Sequence, residues 1–296
     1  MKLKTIILLF IITGIFTSCE DIIDIKLSDE DVDLYAVEAK ITTDENPIVF
    51  LYKTQKVNSA NPYSGVSNAT VEISDNSQPP KTISLVESPS RAGFYVPEAG
   101  INYFGETGKI YTININDEGT EIEGSDPLAT VEPIDSIQVR PSLRGDKQFL
   151  GIFTYGNEPA GIGNFYKWDI YVNNELLYKT ENIVIASDEL VDGNYISGFE
   201  IFTDFYDPNS PEDRKLNLGD TILVKQTSIS EFAYYFYYQM FNQAQTGGFF
   251  SVPPANIKSN FSAGNAKEVL GLFTASDVSV SNEVIIDEEI ENGLKK

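Results

Sequence analysis

Short runs of alternating apolar and polar residues, separated by turn-forming residues, constrain the fold of this chain more than any other feature. Residues 69–73 and 108–115 alternate with period two, which places every second side chain on the same face of a β-strand. The polar, proline-containing segment 75–80 between such runs is typical of a turn. About seven short strands within roughly 100 residues are typical of an immunoglobulin-like β-sandwich, which we predict over residues 33–130.

A second β-rich domain is predicted over residues 131–277. Residues 165–172 have one apolar and one polar face, as expected of a half-buried strand. Asn173 and Asn174 follow this strand and favour a hairpin turn. The apolar run 269–275 is predicted to be the closing strand of the domain. The predicted fold class is therefore mainly β, with an N-terminal immunoglobulin-like β-sandwich followed by a second β-rich domain.

One segment of the second domain departs from the β pattern and predicts an aromatic-rich helix over residues 231–245. Ser230 is a favoured residue for capping a helix N-terminus, and Gly247 and Gly248 are typical of a helix end. Aromatic residues lie on all sides of this helix. A helix that is apolar all round is usually packed on both faces.

Two interpretations of the aromatic helix are open. In the first, it is a core helix that closes one end of the second sandwich. In the second, the helix and the loop after it present aromatic side chains that stack on a peptide, a glycan or a partner barrel. The candidate ligand or partner contacts in the second interpretation are Tyr234, Tyr237, Tyr238, Phe249 and Phe250.

The composition excludes several classes of function. Histidine is absent, which excludes Ser-His-Asp and Cys-His catalysis and imidazole metal ligands. The chain has one cysteine, which excludes an intrachain disulfide and a cysteine-based zinc site. A net charge of −23 argues against binding a nucleic-acid backbone, which requires clustered Lys and Arg. We therefore expect no catalytic residue, no cofactor, no metal and no nucleic-acid partner.

The first 18 residues have the layout of a secretory signal peptide. Lys2 and Lys4 precede an unbroken apolar run over residues 6–12, and the run is too short for a membrane span of about 20 residues. Cys19 follows two small residues where a signal peptidase would cut, in an arrangement similar to the lipobox of Bacteroidota lipoproteins. We therefore predict a lipoprotein signal peptide over residues 1–18 and lipidation of Cys19 with chains such as palmitate. The alternative is an ordinary signal peptide with an incidental cysteine.

Acidic residues follow the cysteine directly. Glu20 and Asp21 resemble the signal that exports Bacteroidota lipoproteins to the cell surface, and we predict an acidic tether over residues 19–32. We expect the protein to be anchored by lipid in the outer membrane and to face the outside of the cell. The alternative is that these acidic residues only keep the tether solvated and carry no export signal. The segment 278–296 is also acidic, and we expect this C-terminal tail to be loosely ordered.

Several short motifs occur in a characteristic order along nearly the whole mature chain. These motifs are Cys19-Glu20-Asp21, residues 37–42, 64–71 and 108–111, Gly219-Asp220, the aromatic helix, and residues 253–257, 259–260 and 269–273. Each motif alone is weak, but their order resembles the Bacteroidota outer-membrane lipoprotein family known as domain of unknown function family 4249. The resemblance implies an accessory surface protein that acts beside a TonB-dependent receptor barrel. It assigns no catalytic residue.

Three functions are compatible with these features. We predict a non-enzymatic outer-membrane surface lipoprotein, which is an accessory or substrate-binding partner of a TonB-dependent β-barrel transporter. The first alternative is a structural or adhesive surface module without a transport role. The second is a hydrolase that uses two carboxylates, as glycosidases do, although no pair stands out in the sequence. The acidic loop 204–213 offers oxygen ligands of the kind that Ca²⁺ prefers, but we favour the alternative that it is a solvated acidic loop.

Overall fold

The protein is mainly β, as the alternation in its sequence predicts. A computed structural model describes residues 34–55, 63–144, 147–203, 216–244, 256–264 and 268–293. The predicted signal peptide and tether lie outside the described residues, together with Cys19, Glu20, Asp21, Phe249, Phe250 and the acidic loop 204–213.

Nineteen strands and two α-helices follow one another in the described part of the chain. The first eight strands are β1 (Tyr35–Thr42), β2 (Ile48–Thr54), β3 (Tyr63–Gly65), β4 (Thr70–Asp75), β5 (Thr82–Glu87), β6 (Phe94–Pro97), β7 (Lys109–Asp117) and β8 (Thr120–Leu128). The next seven are β9 (Ile134–Arg144), β10 (Lys147–Asn157), β11 (Phe165–Val172), β12 (Glu175–Leu176), β13 (Val184–Ser187), β14 (Tyr195–Phe202) and β15 (Thr221–Ser228). Then come helix α1 (Glu231–Ala244), β16 (Phe261–Ala263), β17 (Val269–Ser276), β18 (Val278–Val280), β19 (Val284–Ile285) and helix α2 (Glu288–Gly293).

Ten strands form the first sheet, in the order β16-β8-β7-β4-β5-β6-β2-β1-β17, with β3 paired to β2. The sheet curls until its two ends meet. The side-chain amide of Asn260 donates to the backbone oxygens of Ser125 in β8 and Phe273 in β17, at 3.2 and 2.8 Å. The curled sheet encloses an apolar core because alternate residues of each strand point inward. Its fully buried side chains include Ile41, Leu51, Ile73, Tyr111, Ile113 and Phe273.

The closing strand belongs to this first sheet, which corrects the sequence-based assignment of residues 131–277 to one second domain. β17 runs parallel to β1, with Tyr35 opposite Val269 and Thr42 opposite Ser276. β16 pairs with β8. An apolar run of eight residues identifies a strand but carries no information about which distant strand will accept it. The partner is set by the whole core, and therefore the sequence pattern misassigns it.

Two further sheets pack face to face and enclose a second core. One has the order β14-β10-β9, and the other has the order β12-β11-β15-β18, with β13 on β11 and β19 on β15. Inward side chains from both sheets form one buried cluster, which includes Ile137, Val139, Ile152, Trp168, Ile170, Ile222 and Val224. Asn173 and Asn174 have φ of 53° and 64° in the hairpin between β11 and β12. This geometry confirms the predicted turn.

The C-terminal segment differs from the loosely ordered tail that its acidity predicts. β18 and β19 both pair with β15, and Ile286 is buried in the second core. The acidic residues around it, including Glu283 and Glu288, are exposed. Strand pairing and the burial of Ile286, with Val284 and Ile290 packed beside it, therefore dock this segment while the charges remain in water.

Helix α1 is capped as predicted, because the backbone N–H of Ala233 donates to the Ser230 hydroxyl at 3.1 Å. The helix contacts β11, β13 and β17. It is not buried all round, since Ala233 is buried while the side chains of Tyr235 and Tyr238 are half-exposed. Tyrosine is suited to these two half-exposed positions because its hydroxyl can stay in water while its ring packs against the protein. Neither of the two described helices is long and apolar enough to cross a membrane.

One carboxylate connects the first sheet to the second pair of sheets. Asp277, between β17 and β18, accepts hydrogen bonds from the hydroxyl of Thr43 at 2.7 Å and from the backbone N–H of Val131 at 3.0 Å. Nearby, the hydroxyl of Ser228 donates to the backbone oxygen of Ala129 at 2.6 Å. The polar groups where the chain passes between the two cores are therefore hydrogen-bonded to one another.

Candidate functional site

An aromatic cavity of about 320 Å³ lies between the two sheets of the second core. Its volume is at the small end of the range for ligand pockets, roughly 300–1,000 Å³. Strands β10 and β14 line one side, β11, β13 and β15 line the other, and helix α1 contributes Tyr234. The aromatic lining residues are Tyr155, Tyr166, Trp168, Phe199 and Tyr234.

An irregularity in β14 gives this cavity part of its wall. Ile196 and Phe199 both line the cavity, although residues three apart in a regular strand point to opposite faces. Between Thr154 and Tyr155 the register of β10 with β14 shifts, so that β14 advances two residues where β10 advances one. Gly198 lies in this bulge at φ +82°, a conformation that glycine adopts without strain. The bulge therefore turns both apolar side chains toward the same space.

Trp168 forms the centre of the aromatic wall. Its ring centroid lies 6.0 Å from that of Tyr166 and 6.3 Å from that of Phe199, with tilted planes in both pairs. The indole Nε1 donates to Oε1 of Gln226 at 2.8 Å, and Nε2 of Gln226 donates to the backbone oxygen of Glu132 at 3.0 Å. This chain of hydrogen bonds satisfies the indole N–H inside the protein and fixes the orientation of the ring.

Glu158 is the one acidic residue that lines the cavity, and no Lys or Arg lines it among the described residues. The residue is 6% exposed. Its Oε1 accepts the hydroxyl of Tyr166 at 2.7 Å and the side-chain amide of Asn164 at 3.3 Å. Burial raises the pKa of the Glu158 carboxyl, against the effect of these two hydrogen bonds, and the charges of Asp188 and Asp192 raise it further. Burial and the Glu158 carboxylate also raise the pKa of Tyr166.

The cavity opens beside a loop that a buried aspartate holds in place. Asp188 is fully buried, and its carboxylate accepts the backbone N–H groups of Gly163 at 3.0 Å and Asn164 at 3.1 Å. Its backbone oxygen accepts the N–H groups of Val191 and Asp192, which forms a tight turn. Leu190, which lies between Asp188 and Val191 in this turn, lines the cavity and is 95% exposed. A side chain that is both lining and exposed marks the mouth.

The structure separates the aromatic residues that the sequence grouped as candidate contacts. Tyr234 lines the cavity, with its ring 5.2 Å from that of Phe165. Tyr237 faces a small polar cleft on the other side of β11, where Lys167 lies 5.6 Å from its ring centroid. Tyr238 is half-exposed to solvent. Phe249 and Phe250 lie outside the described residues. The proposed contact role of all five stays a prediction.

The sequence pattern alone did not single out Trp168, Glu158 or Phe199. Trp168 is the one tryptophan of the chain and lies on the apolar face of its strand, which is a detectable signal for an inward position. The bulge that brings Phe199 to the cavity depends on the register between two strands. The sequence contains no comparable signal for it.

A second depression, of about 420 Å³, lies on the first sheet across β4, β7, β8 and β16. Glu72, Glu121 and Glu123 line it, and all three are exposed. Exposed carboxylates on an open sheet face lack the apolar surroundings with which enzymes tune a general acid. No group of three acidic or cysteine side chains that could hold a metal ion occurs among the described residues.

The fold and the site together define a mainly β protein with an aromatic cavity between two packed sheets. The chain belongs to the family described as "Domain of unknown function (DUF4249)", which it matches over residues 20–282. This membership confirms the resemblance seen in the order of the sequence motifs. No curated protein matches the chain.

Proposed function

We propose that this protein is a non-enzymatic, lipid-anchored binding protein of the outer-membrane surface, which uses the aromatic cavity to hold a small ligand for a TonB-dependent β-barrel partner. The observation that carries the binding role is the cavity itself, a concave and mostly apolar site with a few fixed polar groups. The lipid anchor at Cys19 and the export role of Glu20 and Asp21 rest on the sequence pattern.

The cavity is suited to binding because its walls are held in place before a ligand arrives. The Trp168–Gln226–Glu132 hydrogen bonds fix one wall, and the Asp188 turn fixes the mouth. A preorganised site loses little side-chain entropy on binding, so more of the interaction free energy appears as affinity. Among the described residues, the cavity contains one carboxylate and no basic group to pair with it in acid–base chemistry.

Native mass spectrometry of protein extracted from its own membranes tests the binding role even when the ligand has not been identified. The wild-type chain is expected to carry an additional small-molecule mass. An Ala186→Phe variant fills the cavity, because Ala186 lines it, and is expected to lose that mass while retaining its thermal unfolding midpoint. The same adduct on both proteins, or none on either, would contradict a binding role for the cavity.

The anchor and the barrel partner are tested separately. An affinity-tagged full chain is expected to recover an outer-membrane barrel from solubilised membranes, and Cys19→Ala is expected to leave the membrane fraction. Recovery of the tagged protein with no barrel would count against the transport role. It would favour the structural or adhesive alternative.

A further inference from the structure

We infer that the cavity selects a compact apolar ligand that carries a cationic ammonium group. This inference rests on the proposed function, because it names the ligand class for the same site. Three observations carry it: the Glu158 oxygen that has no partner among the described residues, the engaged donors of Tyr166 and Trp168, and the aromatic faces around them.

The Glu158 carboxylate is buried but only half satisfied. Both of its hydrogen bonds in the described structure, from Tyr166 and Asn164, go to Oε1. No hydrogen bond to Oε2 forms within the described part of the chain. Oε2 therefore keeps some contact with solvent, since it is not fully buried without a partner. A ligand that supplies a charged donor there replaces solvent with a charge-assisted hydrogen bond, which is about twice as strong as a neutral one.

Three polar groups of the cavity wall donate hydrogen bonds inside the protein. The Tyr166 hydroxyl donates to Glu158, the Trp168 indole donates to Gln226, and the Gln226 amide donates to the Glu132 backbone. The Tyr166 hydroxyl and the Trp168 indole therefore have no further proton to donate to an anionic or acceptor-rich ligand. A ligand that donates hydrogen bonds is therefore complementary to the Glu158 carboxylate, whereas an anion would face that carboxylate with no Lys or Arg among the described lining residues.

The aromatic side chains favour the same charge. An ammonium group over an aromatic face is attracted by the negative charge of the ring face, most strongly when it is desolvated, and Trp is the best partner. Trp168 is 5% exposed, so contacts with its ring form away from water. The carboxylates of Asp188 and Asp192 act on Glu158 from the mouth of the cavity, and they attract a cation as it enters.

The fluorescence of Trp168 provides a direct test of ligand binding in the cavity. Trp168 is the only tryptophan in the chain and lines the cavity, so its fluorescence, excited selectively over tyrosine, reports occupation of this site. The three probes are 2-phenylethylammonium, 2-phenylethanol and phenylacetate, which share a ring and differ in charge. The ammonium probe is expected to bind at least about tenfold more tightly than the alcohol, equivalent to about 1.4 kcal/mol. Phenylacetate is expected to leave the fluorescence unchanged.

Glu158→Gln separates the charge from the shape of the site. Glutamine keeps an Oε1 acceptor for Tyr166 and Asn164 but removes the negative charge. The preference for the ammonium probe over the alcohol is expected to fall to about onefold to twofold, with the affinity for the alcohol unchanged. The matched control is Glu121→Gln, which removes an exposed charge from the first sheet and is expected to keep the full preference.

Each outcome bears on one of the two claims. Equal binding of alcohol and ammonium, or an ammonium preference that survives Glu158→Gln, overturns the cationic ligand class while the cavity remains a binding site. Failure of all three probes to change Trp168 fluorescence also overturns the ligand class. The proposed function fails on a different result, the absence of a cavity-dependent adduct in the extracted protein.

Discussion

The carboxylate of Asp126 in β8 accepts a hydrogen bond from the backbone N–H of Ala275 in β17 at 2.9 Å, although 149 positions separate the two residues. Asp126 is 2% exposed and points into the curled first sheet. Burial raises its pKa to about 6, while the hydroxyl of Ser230 and the N–H of Ala275 act in the opposite direction. A titratable group therefore connects β8 and β17 of the first sheet to the residue that caps helix α1.

The stability of the protein is expected to depend on pH through Asp126. Its pKa is about 6 in the folded chain, against an ordinary value of 3.8, so the folded state binds the proton more tightly than the unfolded state. The contribution of Asp126 to the free energy of unfolding therefore falls as pH rises through this window, by roughly 3 kcal/mol in total.

Asp126→Asn isolates that contribution, because asparagine retains an acceptor for Ala275 but does not titrate. The free energies of unfolding of wild type and variant are compared by urea denaturation at several pH values. The variant is expected to gain stability relative to wild type as pH rises from 4 to 7, in the direction given by the raised pKa. A difference that is constant with pH would show that Asp126 does not titrate in this range.

Gly271 is expected to be essential for the pairing of β17 with β1. Its φ is +108°, and a Cβ would lie 1.9 Å from the carbonyl oxygen of Val37. Gly271→Ala is therefore expected to lower the free energy of unfolding by about 3 kcal/mol or more, from backbone strain plus the clash. Gly100 is the matched control because its φ is +87° with no atom near a Cβ. Gly100→Ala is expected to cost only about 1 kcal/mol, and equal costs would argue against the close contact.

The C-terminal segment is expected to stabilise the second core. Ile286 is 2% exposed, whereas its neighbour Ile285 is 57% exposed. Ile286→Ala is expected to cost about 2–5 kcal/mol through lost burial and a cavity, while Ile285→Ala is expected to stay within about 0.5 kcal/mol of wild type. Thermal and urea unfolding measure both. Indistinguishable variants would support the loosely ordered tail that the acidity of this segment predicts.

Gln226 is expected to stabilise the cavity wall through Trp168. Gln226→Leu leaves the indole N–H of Trp168 without its acceptor and the Glu132 carbonyl without its donor, at a cost of about 1–3 kcal/mol for each buried unsatisfied group. The same substitution is expected to cost less in a Trp168→Phe background, where one of the two groups is absent. Urea denaturation of the four proteins in this cycle gives the coupling. Equal costs in both backgrounds would mean that the hydrogen bond contributes nothing.

Local features of the fold could be predicted from the sequence because neighbouring residues determine them. The alternation of residues 108–115 predicts a strand, the asparagine pair 173–174 predicts a hairpin, and Ser230 predicts the start of helix α1. The structure contains all three. The strand follows from the side-chain period, the hairpin from the tolerance of asparagine for positive φ, and the helix start from a capping hydroxyl. Each of these causes lies within a few residues of the feature.

Features that depend on distant partners could not be predicted in this way. The assignment of β17 to β1 depends on which surface of the core is left uncovered. The cavity depends on a bulge at Gly198 that exists only in the register of β14 with β10. The docking of Ile286 depends on a space in the second core. The sequence shows the apolar side chains that take part in each feature, but it does not show the geometry that unites them.

The parallel contact between β1 and β17 also has a consequence for the order in which this chain can fold. Thr43, at the end of β1, bonds to Asp277, which lies 234 positions later. Closing so long a loop costs entropy that local strand pairing does not. A nascent chain can form the hairpins of its first 128 residues early, but their outer strand has no parallel neighbour until residues 269–276 have been made. The region that is synthesised first is therefore completed among the last.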